Sequence, residues 1–486
     1  MSERLKISKK FFLKGINYIK INDFHKAEIY FLKSYELTPE RFSITNNLLQ
    51  IYIQSENVNK LESFLNKIDN KFYSETDVII ANLYLLFFKK EYNYVFKKIE
   101  NLKNNLKNNK KFFQFEIRIR NELHQYEEVE NIYKKLIKLN PENISDRLNY
   151  CLFLKKIGKN DQALKLLYQL LEAEPDETTI NKIKYNISFI ELRNKNFIKG
   201  FNFYNPRVET EFDYSISKIK ELVSEDTLLK ETKKIIIWGD QGYGDMINFF
   251  KYAIYIINKF NITINIVFPK KIYEIFLNNT DQRINLFLRS EIDLNKFNYQ
   301  LRLSCVPKIV KNFDLKKINY KCLNKIESDI ILQNKIPNIG LCWSGSKIFN
   351  NKKLRDPPFK MFERLLCKNI QFYKLQQSID TTDKKIMDKF NNIIDLGDKN
   401  FKEIAKYMLK MDLIISSDTS IIHLAGALEV NSILLLNYSS DWRWFNENEK
   451  TFWYPSVRII KQKAINSWAS VFNDLDNFIE KNFIND

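Results

Sequence analysis

Histidine, glycine and cysteine are scarce in this 486-residue chain, which has three, ten and five of them. Only His423 lies beyond the first 205 residues, so a histidine-cluster metal centre is not expected. Cys151, Cys305, Cys322, Cys342 and Cys367 include no CxxC pair and form an odd set, which argues against a zinc ribbon or a disulfide framework and fits free thiols in a reducing compartment. No run of about 18 apolar residues occurs, and the opening Met-Ser-Glu-Arg-Leu-Lys-Ile-Ser-Lys-Lys lacks the apolar core of a signal peptide. The expectation is a cytoplasmic protein with at most a peripheral membrane contact through basic surface. Acidic residues are in deficit, giving a net charge of +18, but the lysines are spread along the whole chain with no basic arm and no recognition motif. No nucleic-acid partner is expected.

What is present divides the text in two. Pro39, Pro141 and Pro175 are separated by 102 and 34 residues, multiples of the tetratricopeptide period. Steps of 34 from Ala27 reach Leu61, Val95, Val129 and Ala163, and from Phe31 they reach Leu65, Ile99, Tyr133 and Leu167. Small or apolar residues also recur at Gly15, Leu49, Leu83, Ile117 and Cys151. Five helical hairpins and a further pair around Asn181 to Tyr204 are expected to form a curved α-solenoid over residues 1–205. Lys9, Asn46, Gln50, Tyr84, Arg118 and Asn121 would line its concave face, where a protein partner could bind. A purely structural or dimerising role stands beside that reading.

Beyond residue 205 strands alternate with helices, as in tandem α/β units over residues 206–330 and 331–486. Lys234 to Trp238 reads as a strand, followed by Gly239-Asp240-Gln241-Gly242-Tyr243-Gly244-Asp245 and a helix from Met246. With three of the chain's ten glycines in six positions, Gly239, Gly242 and Gly244 mark backbone that turns tightly or approaches a ligand. Asp245 reads either as a helix cap or as a general base at a sheet's carboxyl edge.

In the second unit, Asn338 to Trp343 reads as a strand entering the small-residue turn Ser344-Gly345-Ser346, with Lys347, Lys352, Lys353 and Arg355 as nearby cations. Helices are expected at Phe359 to Cys367 and at Ile421 to Leu428. Leu413 to Ile415 is a buried strand, and Ser416-Ser417-Asp418-Thr419-Ser420 crowds polar residues where a helix starts, a natural anion site. At helical spacing Thr419, Ser420 and His423 would face one pocket. The alternative is that Ser417 or Asp418 caps an ordinary core helix. The only Asp-x-Asp, Asp474-Leu475-Asp476, falls in a terminal amphipathic helix and not after a strand, so no metal site is expected.

These motifs in combination resemble bacterial proteins that join tetratricopeptide repeats to a heptosyltransferase-type domain, glycosyltransferase family nine. The residues that carry the resemblance are Gly200-Phe201-Asn202-Phe203-Tyr204, Trp238 to Asp245, Gly340-Leu341-Cys342-Trp343-Ser344-Gly345, Asp418 to Ala427, Asp441-Trp442-Arg443-Trp444 and Trp453-Tyr454-Pro455. It implies a GT-B fold of two Rossmann-like domains, with residues 206–330 on the acceptor side and 331–486 on the nucleotide-sugar side. It also implies an inverting, metal-independent transfer from a nucleotide-diphosphate sugar, of hexosyl or heptosyl type, with no cofactor. The acceptor would be a glycan, a lipid-linked saccharide or a protein, and Asp245 the catalytic base. Substrate-binding positions then fall on Gly242 and Gly244, on Trp343, Ser344, Gly345, Arg355 and Gln376, and on Asp418, Thr419, Ser420 and His423. A repeat scaffold with an inactive transferase-like domain is the competing expectation.

Overall fold

The computed structural model describes the chain apart from residues 1–2, 107, 174, 205–210, 240–241, 278–279, 314–317, 319–322, 324–325, 333–334, 346–351, 446–448 and 485–486. It divides into two compact units, Met1–Phe153 and Leu154–Asp486. The expected junction at 205/206 lies outside the described residues.

The helical pairs keep the period read from the sequence. The second helices of the first five pairs begin at Phe24, Val58, Tyr92, Tyr126 and Asn160. The residues that recur at Ala27, Leu61, Val95, Val129 and Ala163 are all 0% exposed. In the first pair, Phe31 sits over Gly15 so closely that a Cβ there would come within 2.7 Å of the ring. The same register fixes the turn inside each hairpin: Asn22, Glu56, Lys90, His124 and Gly158 all take left-handed backbone, with φ of 59°, 51°, 64°, 61° and 80°. That conformation crowds a Cβ, yet glycine occupies it only in the fifth pair. Replacing the exposed Lys90 by glycine is expected to raise stability by about 0.5–1 kcal/mol, the relief of strain exceeding the added freedom of the unfolded chain. A higher urea midpoint at unchanged slope is the check.

Among the described residues of the second unit, eleven strands form two parallel sheets. The first contains β1 (Lys220–Glu221), β2 (Ile235–Trp238), β3 (Ile264–Phe268), β4 (Ile284–Leu288) and β5 (Tyr299–Arg302), ordered β1-β5-β2-β3-β4. The second contains β6 (Asn338–Cys342), β7 (Gln371–Lys374), β8 (Ile393–Asp395), β9 (Leu413–Ser417), β10 (Ser432–Leu436) and β11 (Val457–Lys461), ordered β11-β10-β9-β6-β7-β8. Read from β8, this second order is the doubly wound 3-2-1-4-5-6. Strands β2, β3, β6, β9 and β10 are buried along their length, which is why they read as continuous apolar runs. The architecture is therefore an α-helical repeat region followed by two Rossmann-like halves of GT-B type.

Three local departures have physical causes. Strand β1 is two exposed charged residues with no apolar signature, paired to β5 at the sheet edge. The helix after the glycine turn begins at Tyr243, three residues before its first buried side chain, Met246. The helix expected at Phe359 to Cys367 is a 3₁₀ turn, Phe359–Phe362, followed by one α-turn, Glu363–Leu366. Eclipsed i,i+3 spacing there places Phe359 on Trp343, with centroids 4.1 Å apart, and Phe362 on Phe472, 4.7 Å apart.

The last helical pair, Glu177–Arg193 and Phe197–Phe203, shares the α/β core: Leu192, Phe201 and Tyr204 cluster with residues of both halves. Arg193 is buried and donates from Nη1 to the Ser440 carbonyl at 2.8 Å.

Candidate functional site

Two topological switch points bring the predicted motifs together. In the second sheet the chain reverses direction between β6 and β9, so the Trp343–Gly345 turn and the Asp418–Ser420 turn leave adjacent carboxyl ends. In the first sheet the reversal lies between β2 and β5, and β2 runs into the glycine turn. Ligands of open α/β sheets bind at such crevices.

After β9 the backbone turns at Asp418, and Thr419 is the N-cap of the helix Ser420–Ala427. The Thr419 hydroxyl accepts from the Ile421 N–H at 3.3 Å and lies 3.0 Å from Ser416 Oγ and 3.5 Å from Cys342 Sγ. This corrects the expectation that Thr419 and His423 share one helical face: Thr419 precedes the first helical residue, and its side chain turns back on the strands. The cap is Thr419, not Ser417 or Asp418.

His423 is 4% exposed. Its Nδ1 is 3.1 Å from the Tyr454 hydroxyl, its ring stacks on Trp444 at 5.1 Å, and its Nε2 is 3.9 Å from Asp418 Oδ1. Burial, then the charges of Arg443 and Lys251, hold its pKa well below the usual range, so the imidazole is neutral. Asp418 is pushed up to about 7 by burial and then by Asp441, against the pull of the neighbouring Trp444 indole and of Arg355 and Arg443. It thus changes charge near neutrality.

The Tyr243–Phe260 helix starts against this turn. A Cβ on Gly244 would lie 2.6 Å from His423 Cδ2 and 3.4 Å from Ser420 Cα, so only glycine lets the first turns of the two helices meet. Asp245 lies in the first turn of that helix. Its Oδ2 accepts from the Gly242 N–H at 3.2 Å and its Oδ1 is 2.7 Å from Arg443 Nη2. The carboxylate therefore does close the helix start, as the capping reading held, and it also holds a buried cation.

Trp343 is buried in the core, with its indole N–H on Asp383 at 2.7 Å. Gln376 Oε1 accepts from the N–H groups of Trp343 and Ser344, both at 3.0 Å, and so fixes the turn's shape. Asp356 accepts from Ser344 Oγ at 2.9 Å and pairs with Arg355 Nε at 2.7 Å. The Arg355 guanidinium lies over Gly345, where a Cβ would approach it to 2.6 Å. Asp240, Gln241, Ser346 and Lys347 lie outside the described residues, as do the side chains of Lys352 and Lys353.

Two buried cations join the site without a pattern in the sequence that assigns them to it. Arg443 is 5% exposed and Lys251 is 0% exposed. Lys251 Nζ donates to the Trp453 carbonyl at 3.2 Å and lies 4.6 Å from the centres of the Trp453 and Tyr454 rings. A single charge inside the runs Phe249-Phe250-Lys251-Tyr252 and Trp442-Arg443-Trp444 was the available signal. Among the described residues no group of three or more His, Cys, Asp or Glu could hold a metal ion, and no helix is long and apolar enough to cross a membrane.

Comparison with known proteins agrees with the resemblance. Residues 307–465 match the model of glycosyltransferase family 9 (heptosyltransferase). No curated protein matches the chain. Among solved structures, the E. coli ADP-heptose LPS heptosyltransferase II is 11% identical, with 51% of this chain and 99% of that one covered and a TM-score of 0.35. The iron-containing dodecameric glycosyltransferase TibC of enterotoxigenic E. coli is 11% identical over 52% of this chain and 78% of its own, with a TM-score of 0.34. The pilF protein of Pseudomonas aeruginosa is 12% identical over 42% and 90%, with a TM-score of 0.30. Residues 307–465 are thus similar to the glycosyltransferase family 9 (heptosyltransferase) domain, downstream of helical pairs that recur every 34 residues.

Proposed function

We propose that the protein transfers a hexosyl or heptosyl group from a nucleotide-diphosphate sugar to a hydroxyl of a glycan, lipid-linked saccharide or protein acceptor. The observation that carries the reading is the meeting of two helix starts, one from each half, with Asp245 on one and the Asp418–Ser420 turn on the other.

In this reading Asp245 takes the proton of the acceptor hydroxyl, and the oxygen attacks the anomeric carbon from the face opposite the diphosphate, inverting it. The bond from carbon to the phosphate oxygen breaks and its electron pair leaves on the diphosphate. First-turn N–H groups after Asp418, the Ser420 hydroxyl and the Arg355 cation receive that charge. The dipole of an exposed helix end supplies only about 0.3–1 kcal/mol, so hydrogen bonds and the cation carry most of it. No cofactor or metal has a part in this scheme. A protein partner on the repeat pairs is a further part of the proposal.

The experiment is thermal-shift binding of ADP, UDP, GDP and CDP. One of them at 100 times its Kd stabilises by about 2.7 kcal/mol; no shift with any of the four at millimolar concentration sinks the reading. Binding should weaken as pH rises through about 7, because the Asp418 carboxyl is then charged beside the diphosphate. Asp418→Asn should flatten that dependence relative to the nucleotide's own titration. The sign carries into stability: a carboxyl raised on folding favours the folded state below its unfolded pKa, and that contribution is lost as pH rises to about 7. The melting temperature of Asp418→Asn relative to wild type should therefore climb from pH 5 to pH 8. A constant difference would contradict this.

A further inference from the structure

We infer that Arg443 is a positioning residue for Asp245, fixing the orientation of its carboxylate at the junction of the two helices, and that Tyr204, at the end of the last repeat pair, braces Arg443. The inference rests on the reading of Asp245 as the base.

Arg443 is buried with its guanidinium 4.8 Å from the Trp442 ring centre and 5.5 Å from that of Phe249. A merely structural guanidinium in this place already has a carboxylate on its own turn: Asp441 Oδ1 takes both Nη1, at 2.7 Å, and the Arg443 backbone N–H, at 3.0 Å. Its other arm reaches a different segment, where Nη2 meets Asp245 Oδ1 at 2.7 Å while the Gly242 N–H holds Oδ2. Both carboxylate oxygens are thereby held, which sets the plane of the carboxylate at the helix junction. The Tyr204 oxygen lies 3.5 Å from Nη2, and its ring packs edge-on against Trp442. The Trp453 indole N–H donates to the Arg443 carbonyl at 2.5 Å, anchoring the residue from behind.

Charge supports the same role. The groups around Arg443 are Asp245 on the Tyr243–Phe260 helix, Asp441 on its own turn, Tyr204, and Asp418 and His423 from the polar turn and its helix, where Lys251 also acts on His423. Asp245 and Asp441 both pull the guanidinium pKa well above its ordinary range against the cost of burial, so the cation persists throughout the working pH range. A fixed cation in contact favours the ionised carboxylate. Removing it lets Asp245 take up a proton more readily and frees its rotamer.

The test follows nucleoside-diphosphate release from ADP-, UDP-, GDP- and CDP-sugars by the full chain, as kcat, donor KM and pH profile. Arg443→Gln should lower kcat by about 10²-fold at little change in donor KM, and move the acid limb of kcat/KM to higher pH. Arg443→Lys should recover at least about tenfold of that loss, and Tyr204→Phe should cost about 3- to 10-fold in kcat. If Arg443→Gln folds and keeps the wild-type kcat and acid limb, the inference is overturned. It is equally overturned if kcat falls with the acid limb unmoved and lysine no better than glutamine. Should Arg443→Gln fail to fold, Tyr204→Phe decides: a kcat lowered about 3- to 10-fold at unchanged donor KM supports it, and a wild-type kcat refutes it. An active wild type with unaffected variants removes this inference alone, whereas a wild type inactive on all four donor classes removes the functional reading and the inference with it.

Discussion

Asparagine in place of Asp245 is expected to reduce sugar transfer by about 10²- to 10⁴-fold, the contribution of a positioned base, while a nucleoside diphosphate still raises the melting temperature. The amide keeps the shape of the carboxylate and can still accept the Gly242 N–H, so the helix start is preserved. What goes is the charge facing Arg443, which keeps Asp441 at 2.7 Å. A stability loss of about 1–3 kcal/mol is expected from weakening one charge-assisted bond of a buried group. Initial rates at saturating donor, read beside the melting curve and the nucleotide shift, separate the two losses. More than a tenth of wild-type rate in a folded Asp245→Asn protein would assign the proton transfer elsewhere.

Gly426→Ala should unsettle the other side of the site, and by a route unrelated to charge. Alanine favours a helix over glycine by about 1 kcal/mol, so on propensity alone the change would stabilise. The Tyr454 ring, however, lies flat against the missing side chain: a Cβ would come within 2.2 Å of its Cγ and 2.5 and 2.7 Å of its two Cδ atoms. The ring is 0% exposed and cannot swing into solvent. It also carries the hydroxyl that meets His423 Nδ1 and one of the faces against Lys251. Overpacking of this kind costs about 1–3 kcal/mol, occasionally more. A net loss of about 2 kcal/mol is expected, together with weaker nucleotide binding as His423 loses its partner. Partial recovery in Gly426→Ala/Tyr454→Leu would identify the ring as the obstacle. A single variant as stable as wild type would mean that the neighbouring strands yield.

The sequence exposes the parts of this molecule that one kind of residue at one spacing must supply. The repeat is legible because Ala27, Leu61, Val95, Val129 and Ala163 answer the same packing demand. The turns after β2, β6 and β9 are legible because small and polar residues interrupt buried strands there. Side-chain direction is not contained in such patterns. Thr419 reads as a ligand contact by spacing but is drawn to Ser416 and Cys342, since a cap residue faces the strand it has just left. Gln376 and Trp343 likewise shape a turn by bonding to it or packing beneath it. Arg443 has no role legible in its own motif, because its partner Asp245 belongs to the other half and becomes its neighbour only when the two sheets are folded.

The shared core of the last helical pair determines where this chain can be cut. A fragment beginning just after Tyr204 would leave Trp442 without Phe201 and Tyr204, whose ring centres lie 6.0 and 6.3 Å from its own, and would free Ser440 from Arg193. Such a piece would present a fresh aromatic face to solvent and aggregate. A fragment that retains the Glu177–Arg193 helix would keep that face covered. Limited proteolysis should accordingly spare the stretch from Glu177 to Tyr204 in the native protein, and an isolated α/β piece must bring with it helices that look, by their sequence, as though they belonged to something else.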